Sequence, residues 1–117
     1  MKAFSLCLVL ALTAFADRAG NFMIRFEPKA ILQPAVQVPF EITVSNDLRQ
    51  PVRQAKVTMQ IENKDHEAVQ TFKAPEVTAG VYLAKPVFPE PGVWTINVEV
   101  RRNDQLSTRT LEFTVSR

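Results

Sequence analysis

The sequence predicts a single all-β domain, an antiparallel immunoglobulin-like β-sandwich of about seven strands, and three observations carry this prediction. Short runs of apolar residues alternate with polar ones at a period of two, as in strands that bury one face. Turn-forming residues separate these runs at spacings of roughly 8 to 14 residues. No segment of helical length has a 3.6-residue period, so the crossover helices that a parallel sheet needs are not predicted. The length of 117 residues leaves room for one core.

The first sixteen residues have the layout of a secretory signal. Lys2 precedes an uncharged apolar run, Ala3 to Ala16, that is shorter than the roughly 20 residues needed to cross a bilayer. The run ends in Ala14-Phe15-Ala16, the small-x-small pattern that signal peptidase accepts. We therefore predict a signal peptide over 1–16, a mature domain over 17–117, and a periplasmic or secreted location. The alternative for the segment is an uncleaved anchor or a buried helix.

Cysteine content and charge exclude several classes of function. Cys7 is the only cysteine and lies in the predicted signal, so the mature chain is expected to have neither a disulfide nor a cysteine nucleophile. Losing Lys2 leaves 13 of the 14 Lys and Arg against 12 Asp and Glu, a net charge of +1. This charge is too small to favour nucleic acid or anionic lipid as a partner. We also expect no stable membrane insertion after signal cleavage.

The strands in the first half of the mature chain follow from their alternation. The second is the clearest, because five apolar residues from Val36 to Val44 share one face. Pro39 points to the other face and cannot donate a ladder hydrogen bond, so we expect a sheet edge or a change of sheet there. A polar turn over Asn46 to Gln54 precedes the third strand. The first three predicted strands are Phe22–Glu27, Val36–Ser45 and Lys56–Glu62.

The second half supplies four more strands. The run after the turn at Asn63 to Glu67 is weak, and its broken alternation does not define the side that faces the core. Pro89-Glu90-Pro91-Gly92 suits a tight connection, and the run that Trp94 begins has a perfect period of two. Arg101 to Gln105 is predicted as the loop of a final hairpin. The last four predicted strands are Ala68–Lys73, Gly80–Phe88, Trp94–Val100 and Thr110–Val115.

Several segments of the mature chain share a pattern with a known family. These segments are Gly80-Val81-Tyr82, Phe88-Pro89-Glu90-Pro91-Gly92-Val93-Trp94, Asn97-Val98-Glu99-Val100, Phe26-Glu27-Pro28, Phe40-Glu41-Ile42-Thr43-Val44 and Ala55-Lys56-Val57-Thr58-Met59. Together they resemble the bacterial YtkA-like family, which is related to the FixH-like proteins. The resemblance implies an extracytoplasmic immunoglobulin-like accessory domain, often found alongside metal transport or oxidase assembly, with no enzymatic activity. Many members carry Met and His residues between the third strand and the Gly-x-Tyr strand, and in that window this sequence has only Met59, Asp65 and His66.

The candidate metal residues are His66 and Met59, with Met23 as a further thioether. Imidazole suits copper and zinc, and the hypothesis is that His66 binds such an ion together with Asp65 or Glu67. A tight site needs three or four converging ligands, and the mature chain has no second His and no Cys. The alternative is that His66 is a solvated turn residue. We therefore predict no cofactor, and copper is the alternative.

No catalytic constellation is predicted. The only histidine has no serine-containing elbow beside it, and the three glycines are too dispersed for a phosphate-binding loop. We therefore predict a protein that is not an enzyme. The first hypothesis is an accessory domain that binds a protein partner through an exposed strand edge or the loops at one end of the sandwich. The second is a periplasmic copper-handling protein that uses His66 and nearby Met residues.

Overall fold

The computed structural model describes residues 22–65 and 68–116, and the predicted signal and His66 lie outside these residues. The described residues form strands and no helix, so none of them supplies a helix that is long and apolar enough to cross a membrane. The strands in this part of the chain are β1 (Met23–Pro28), β2 (Phe40–Ser45), β3 (Lys56–Asn63), β4 (Val69–Lys73), β5 (Glu76–Thr78), β6 (Val81–Ala84), β7 (Gly92–Arg102) and β8 (Gln105–Val115).

The strands form two four-stranded antiparallel sheets. The first sheet has the order β1-β2-β6-β5, and the second has the order β4-β3-β7-β8. In immunoglobulin nomenclature these orders are A-B-E-D and C′-C-F-G. The predicted all-β antiparallel sandwich is therefore confirmed, with one strand more than the sequence suggested.

The core lies between the inner faces of the two sheets, where the predicted alternation places its apolar residues. Trp94 is fully buried, as its parity with Ile96 and Val98 predicts. Its indole packs against Phe88 at a centroid distance of 5.6 Å, and Phe88 packs against Phe40 at 6.3 Å. Each buried side chain of this size contributes about 1.5–3 kcal/mol relative to exposure, so this core is the main source of stability.

The second predicted strand is shorter than its pattern indicates. Strand β2 begins at Phe40, and Val36, predicted to face inward, is 46% exposed. The reason is local, since Ala35 has a φ of 66° and so reverses the direction of the chain. The segment before Pro39 instead bonds to the chain that follows β6, with the Val38 amide donating to the Pro86 carbonyl at 3.0 Å.

Other boundaries also differ from the sequence prediction. The predicted strand over 80–88 is shorter in the structure, because β6 covers only Val81–Ala84. Strand β5 was not predicted, since three residues are too few to show a period. The final hairpin is longer than predicted, because β7 and β8 continue through the polar residues on either side of a turn at Asn103 and Asp104. Asn103 has a φ of 55° there, a conformation that asparagine tolerates.

The two lateral sides of the sandwich differ. On one side β1 and β8 meet, with Arg109 Nη1 donating to the Ile24 carbonyl at 2.6 Å and the rings of Phe26 and Phe113 lying 6.1 Å apart. On the other side β4 and β5 are the outermost strands of their sheets, and the chain passes between them at Ala74 and Pro75. This second side, here called the open side, contains the surface described next.

Candidate interaction site

The structure places one predicted metal residue in the core. Met59 is fully buried on β3, opposite Phe72 of β4 and Val98 of β7. Its thioether therefore does not face solvent. His66 lies outside the described residues, and among the residues that are described no three His, Cys, Asp or Glu are grouped to hold a metal ion. A copper site built on His66 stays a prediction.

A groove on the open side of the sandwich is lined mainly by apolar side chains. Its volume is about 370 Å³, enough for one or two side chains of a partner. Val77 is 54% exposed in it, and Phe72 and Leu83 are half-buried. The lining residues are Phe72, Lys73, Pro75, Val77, Leu83 and Lys85. An exposed apolar surface that is rimmed by polar groups is typical of interaction sites.

Val77 is exposed because the ladder between β5 and β6 is irregular. Glu76 is opposite Tyr82 and Thr78 is opposite Val81, so Val77 is an extra residue in β5. An extra residue of this kind bends a strand and redirects its side chains. The Leu83 amide donates to the Pro75 carbonyl at 3.0 Å and fixes the connection on the other side of the groove.

The Glu76 carboxylate holds β5 in place. Its two oxygens accept hydrogen bonds from the backbone amides of Gln54 and Gly80, each at 3.0 Å. The hydrogen bonds from Gly80 and Gln54 hold the pKa of Glu76 below its ordinary value, because they stabilise the ionised form. Gly80 is required at this contact, since it has a φ of 74° and a Cβ there would lie 2.6 Å from Cβ of Pro51.

Tyr82 fixes the strand beneath the groove. Its buried hydroxyl donates to the Val52 carbonyl at 2.8 Å and accepts from the Ala55 amide at 3.0 Å. Burial raises the pKa of this phenol. Together Glu76 and Tyr82 tie β5 and β6 to the loop over residues 46–55, so the groove is built on fixed elements.

The outer edge of β4 runs into the groove. The Ala74 amide donates to the Val57 carbonyl at 2.9 Å, and the Asn63 amide donates to the Ala68 carbonyl at 3.2 Å. In an antiparallel pair such bonded positions alternate with non-bonded ones. Three residues of β4, Val69, Thr71 and Lys73, therefore direct their backbone N–H and C=O groups away from β3, toward the free edge.

The charge of the groove is uniformly positive. Lys73 and Lys85 are both exposed, and the lining contains no acidic residue. Within residues 22–65 and 68–116, the ion pairs are those of Lys29 with Glu27 at 3.9 Å and with Glu41 at 3.8 Å. The two lysines of the groove are thus without a carboxylate partner in this part of the chain.

A second exposed surface is the loop over residues 46–55 at one end of the sandwich. Asn46 Oδ1 accepts from the amides of Leu48 and Gln50, each at 2.9 Å, and Arg49 has a φ of 63°. Leu48 is 72% exposed at its tip. The loop is ordered by its own hydrogen bonds and presents one apolar side chain, whereas the groove combines apolar residues from three elements.

Comparison with known families bears on most of the chain. A model of the YtkA-like family matches residues 18–99. This chain belongs to the YtkA-like family. The match extends from before β1 to the middle of β7 and so includes all the residues that line the groove. A search of curated proteins gives no match for this YtkA-like protein.

Two solved structures share the fold of this YtkA-like domain. A DUF4426 family protein from Pseudomonas aeruginosa is 12% identical with a TM-score of 0.56, over 82% of this chain and 91% of that one. A DUF4785 family protein from Legionella pneumophila is 13% identical with a TM-score of 0.55, over 86% of this chain. The YtkA-like chain spans only 29% of the length of the Legionella protein. At these identities the likeness concerns the fold alone.

The groove was not identified from the sequence. Strand edges were predicted as a possible interaction surface, but Val77 and Leu83 were not singled out. The available signal was the irregular alternation from Ala68 onward, which departs from the regular pattern of the other strands.

Proposed function

We propose that this YtkA-like protein is a noncatalytic accessory domain that acts outside the cytoplasm and binds a protein partner through the groove on its open side. The observation that carries the proposal is Val77, more than half exposed at an irregular point of β5 beside Phe72 and Leu83. Because the hydrogen bonds of Glu76 and Tyr82 already order these strands, this domain loses little conformational entropy when a partner binds.

The chemistry of the groove supports binding rather than catalysis. Its lining offers apolar surface and two ammonium groups, and it contains no His, Cys, Ser or acidic residue that could act with them in catalysis. Binding interfaces commonly have an apolar centre with a polar rim. The proposal therefore requires no cofactor.

The extracytoplasmic location is supported by the signal-like segment over 1–16 and by the family match, which begins at residue 18. We expect the exported protein to begin at Asp17. N-terminal sequencing of protein recovered from the envelope or the medium tests this. A product that still contained Cys7 would contradict the location and the predicted absence of a thiol.

Partner binding is tested by site-specific photo-crosslinking in the native organism. The photoreactive residue benzoylphenylalanine replaces Val77 in one strain and Leu48 in the other, because both positions are exposed but lie on different surfaces. We expect a discrete adduct from position 77, identified by mass spectrometry, and none from position 48. The adduct at 77 should disappear with Leu83→Asp and persist with Leu48→Asp.

Two results would contradict the proposal. An adduct from position 48 alone would move the partner surface to the loop over residues 46–55. Equal labelling of many proteins from position 77, insensitive to Leu83→Asp, would show that the groove has no specific partner. Circular dichroism of each variant checks that the fold is retained.

A further inference from the structure

The groove and the free edge of β4 form one continuous surface, and this surface specifies the chemistry of its partner. Resting on the proposed function, we infer that the partner segment is an extended strand, that it pairs with β4, and that it places an acidic side chain between Lys73 and Lys85 beside apolar side chains in the groove.

The backbone of β4 is suited to pairing with an added strand. Val69, Thr71 and Lys73 direct their N–H and C=O groups to the free edge, as the hydrogen bonds of Ala68 and Ala74 to β3 indicate. An added strand satisfies these groups by main-chain hydrogen bonds, which are independent of its sequence. A segment that continues past Lys73 reaches the groove, where side-chain contacts add selectivity.

The charges select the kind of side chain. Lys73 and Lys85 line the groove without an acidic neighbour in the lining, and Glu41, which is opposite Leu83 in the adjacent strand, has Lys29 at 3.8 Å. A partner carboxylate gains from both ammonium groups, while a partner lysine is repelled by both. The apolar residues Val77 and Leu83 favour an aliphatic or aromatic side chain next to that carboxylate.

A second copy of this chain fits the surface poorly. Strand β4 has the sequence Val-Gln-Thr-Phe-Lys and contains no acid. Antiparallel pairing of two such strands centred on Thr71 places Val69 of the second copy opposite Lys73, so β4 of the second copy brings no carboxylate to the groove. The charge complementarity therefore points to a different protein, with an acidic and apolar extended segment.

The first test sequences the peptide that is crosslinked to position 77. We expect an extended segment with Asp or Glu within a few residues of the crosslinked apolar side chain. A crosslinked peptide rich in Lys and Arg, a helical segment of the partner, or a peptide from a second copy of this chain would overturn the inference and leave partner binding itself intact.

The second test reverses the charges of the groove. The double variant Lys73→Glu with Lys85→Glu should lower the yield of the adduct at least about tenfold, because two attractions become repulsions. The matched control is Lys64→Glu with Arg101→Glu, which changes the net charge equally at exposed positions outside the lining. An unchanged yield with the groove variant, or an equal loss with the control, would show that the lysines do not select the partner.

The third test addresses the pairing edge. Thr71→Pro removes an N–H that points to the free edge, so the ladder to β3 keeps its hydrogen bonds and the melting temperature should change by only about 5 °C. Thr71→Ala keeps the N–H and is the control. We expect the adduct to be lost with proline and kept with alanine. An adduct that persists with a folded Thr71→Pro variant rejects strand pairing. If Thr71→Pro does not fold, the charge reversal and the crosslinked sequence still decide the inference.

Discussion

Replacing Trp94 with alanine should nearly unfold the domain. Trp94 is the only tryptophan, is fully buried, and packs against Phe88 at 5.6 Å. Truncation of a buried Trp to Ala costs about 3–5 kcal/mol. The upper part of this range is expected, since strands of both sheets frame the site and limit its collapse. The hydrogen bond from Trp94 Nε1 to the Glu90 carbonyl at 3.0 Å adds about 1 kcal/mol at most, because Glu90 is exposed and water can replace the donor.

This loss is large compared with the total stability of about 5–15 kcal/mol for a domain. Urea denaturation followed by far-ultraviolet circular dichroism measures it, since the variant has no tryptophan fluorescence. The control is Thr95→Ala, the next residue, which faces the opposite side of β7 between Glu62 and Glu112 and is only half-buried. It should cost about 1 kcal/mol or less. Equal losses in the two variants would refute the register of β7 and the core built on it.

Three further outcomes are expected. Tyr82→Phe should destabilise the domain by about 1–3 kcal/mol in urea melts, because a buried carbonyl and amide lose their shared hydroxyl; a loss below about 0.5 kcal/mol would contradict this. Glu76→Gln should be less stable than the wild type at neutral pH, and the two melting curves should converge in acid. The pKa of Glu76 is lower in the folded than in the unfolded state, so its carboxylate stabilises the fold above the unfolded-state pKa, and this stabilisation is lost as the pH falls through the folded-state pKa. Parallel curves for the two proteins at all pH values would contradict this. Copper should bind the exported protein with a Kd above about 1 μM by calorimetry, and nanomolar binding that His66→Ala removes would instead favour copper handling.

The parts of the fold that the sequence predicts are those that a buried face controls. Strands β2, β3 and β7 alternate because every second side chain must enter the core, as the burial of Ile42, Met59 and Ile96 shows. The ends of the final hairpin were missed for the same reason. Arg101 and Gln105 belong to β7 and β8 by their backbone hydrogen bonds, but they lie beyond the core and carry no apolar period. An alternating sequence indicates which residues of a strand are buried, whereas the backbone pairing of two strands extends beyond the buried residues.

The metal candidates show a different limit of sequence reasoning. Residue type alone suggested Met59 as a second ligand beside His66, yet the parity of Met59 with Val57 and Ile61 already placed it on the inner face of β3. When a potential ligand shares the parity of core residues, packing is the better explanation of its identity. The same reasoning correctly assigned Trp94 to the core.

Protection of the sheet edge is a second explanation for the two groove lysines, Lys73 and Lys85. Sheet edges with exposed apolar residues promote association, and charged side chains at an edge are a common protection against it. In this explanation Lys73 and Lys85 keep copies of this chain apart, and they need no partner to do so. Replacing both with glutamate preserves that protection, because equal negative charges repel as equal positive charges do. Replacing both with methionine removes it.

If the lysines only protect the edge, the glutamate variant should stay monomeric and keep its crosslinked partner, and the methionine variant should self-associate. If they recognise an acidic strand, the glutamate variant should stay monomeric and lose its partner, which light scattering and crosslinking together detect.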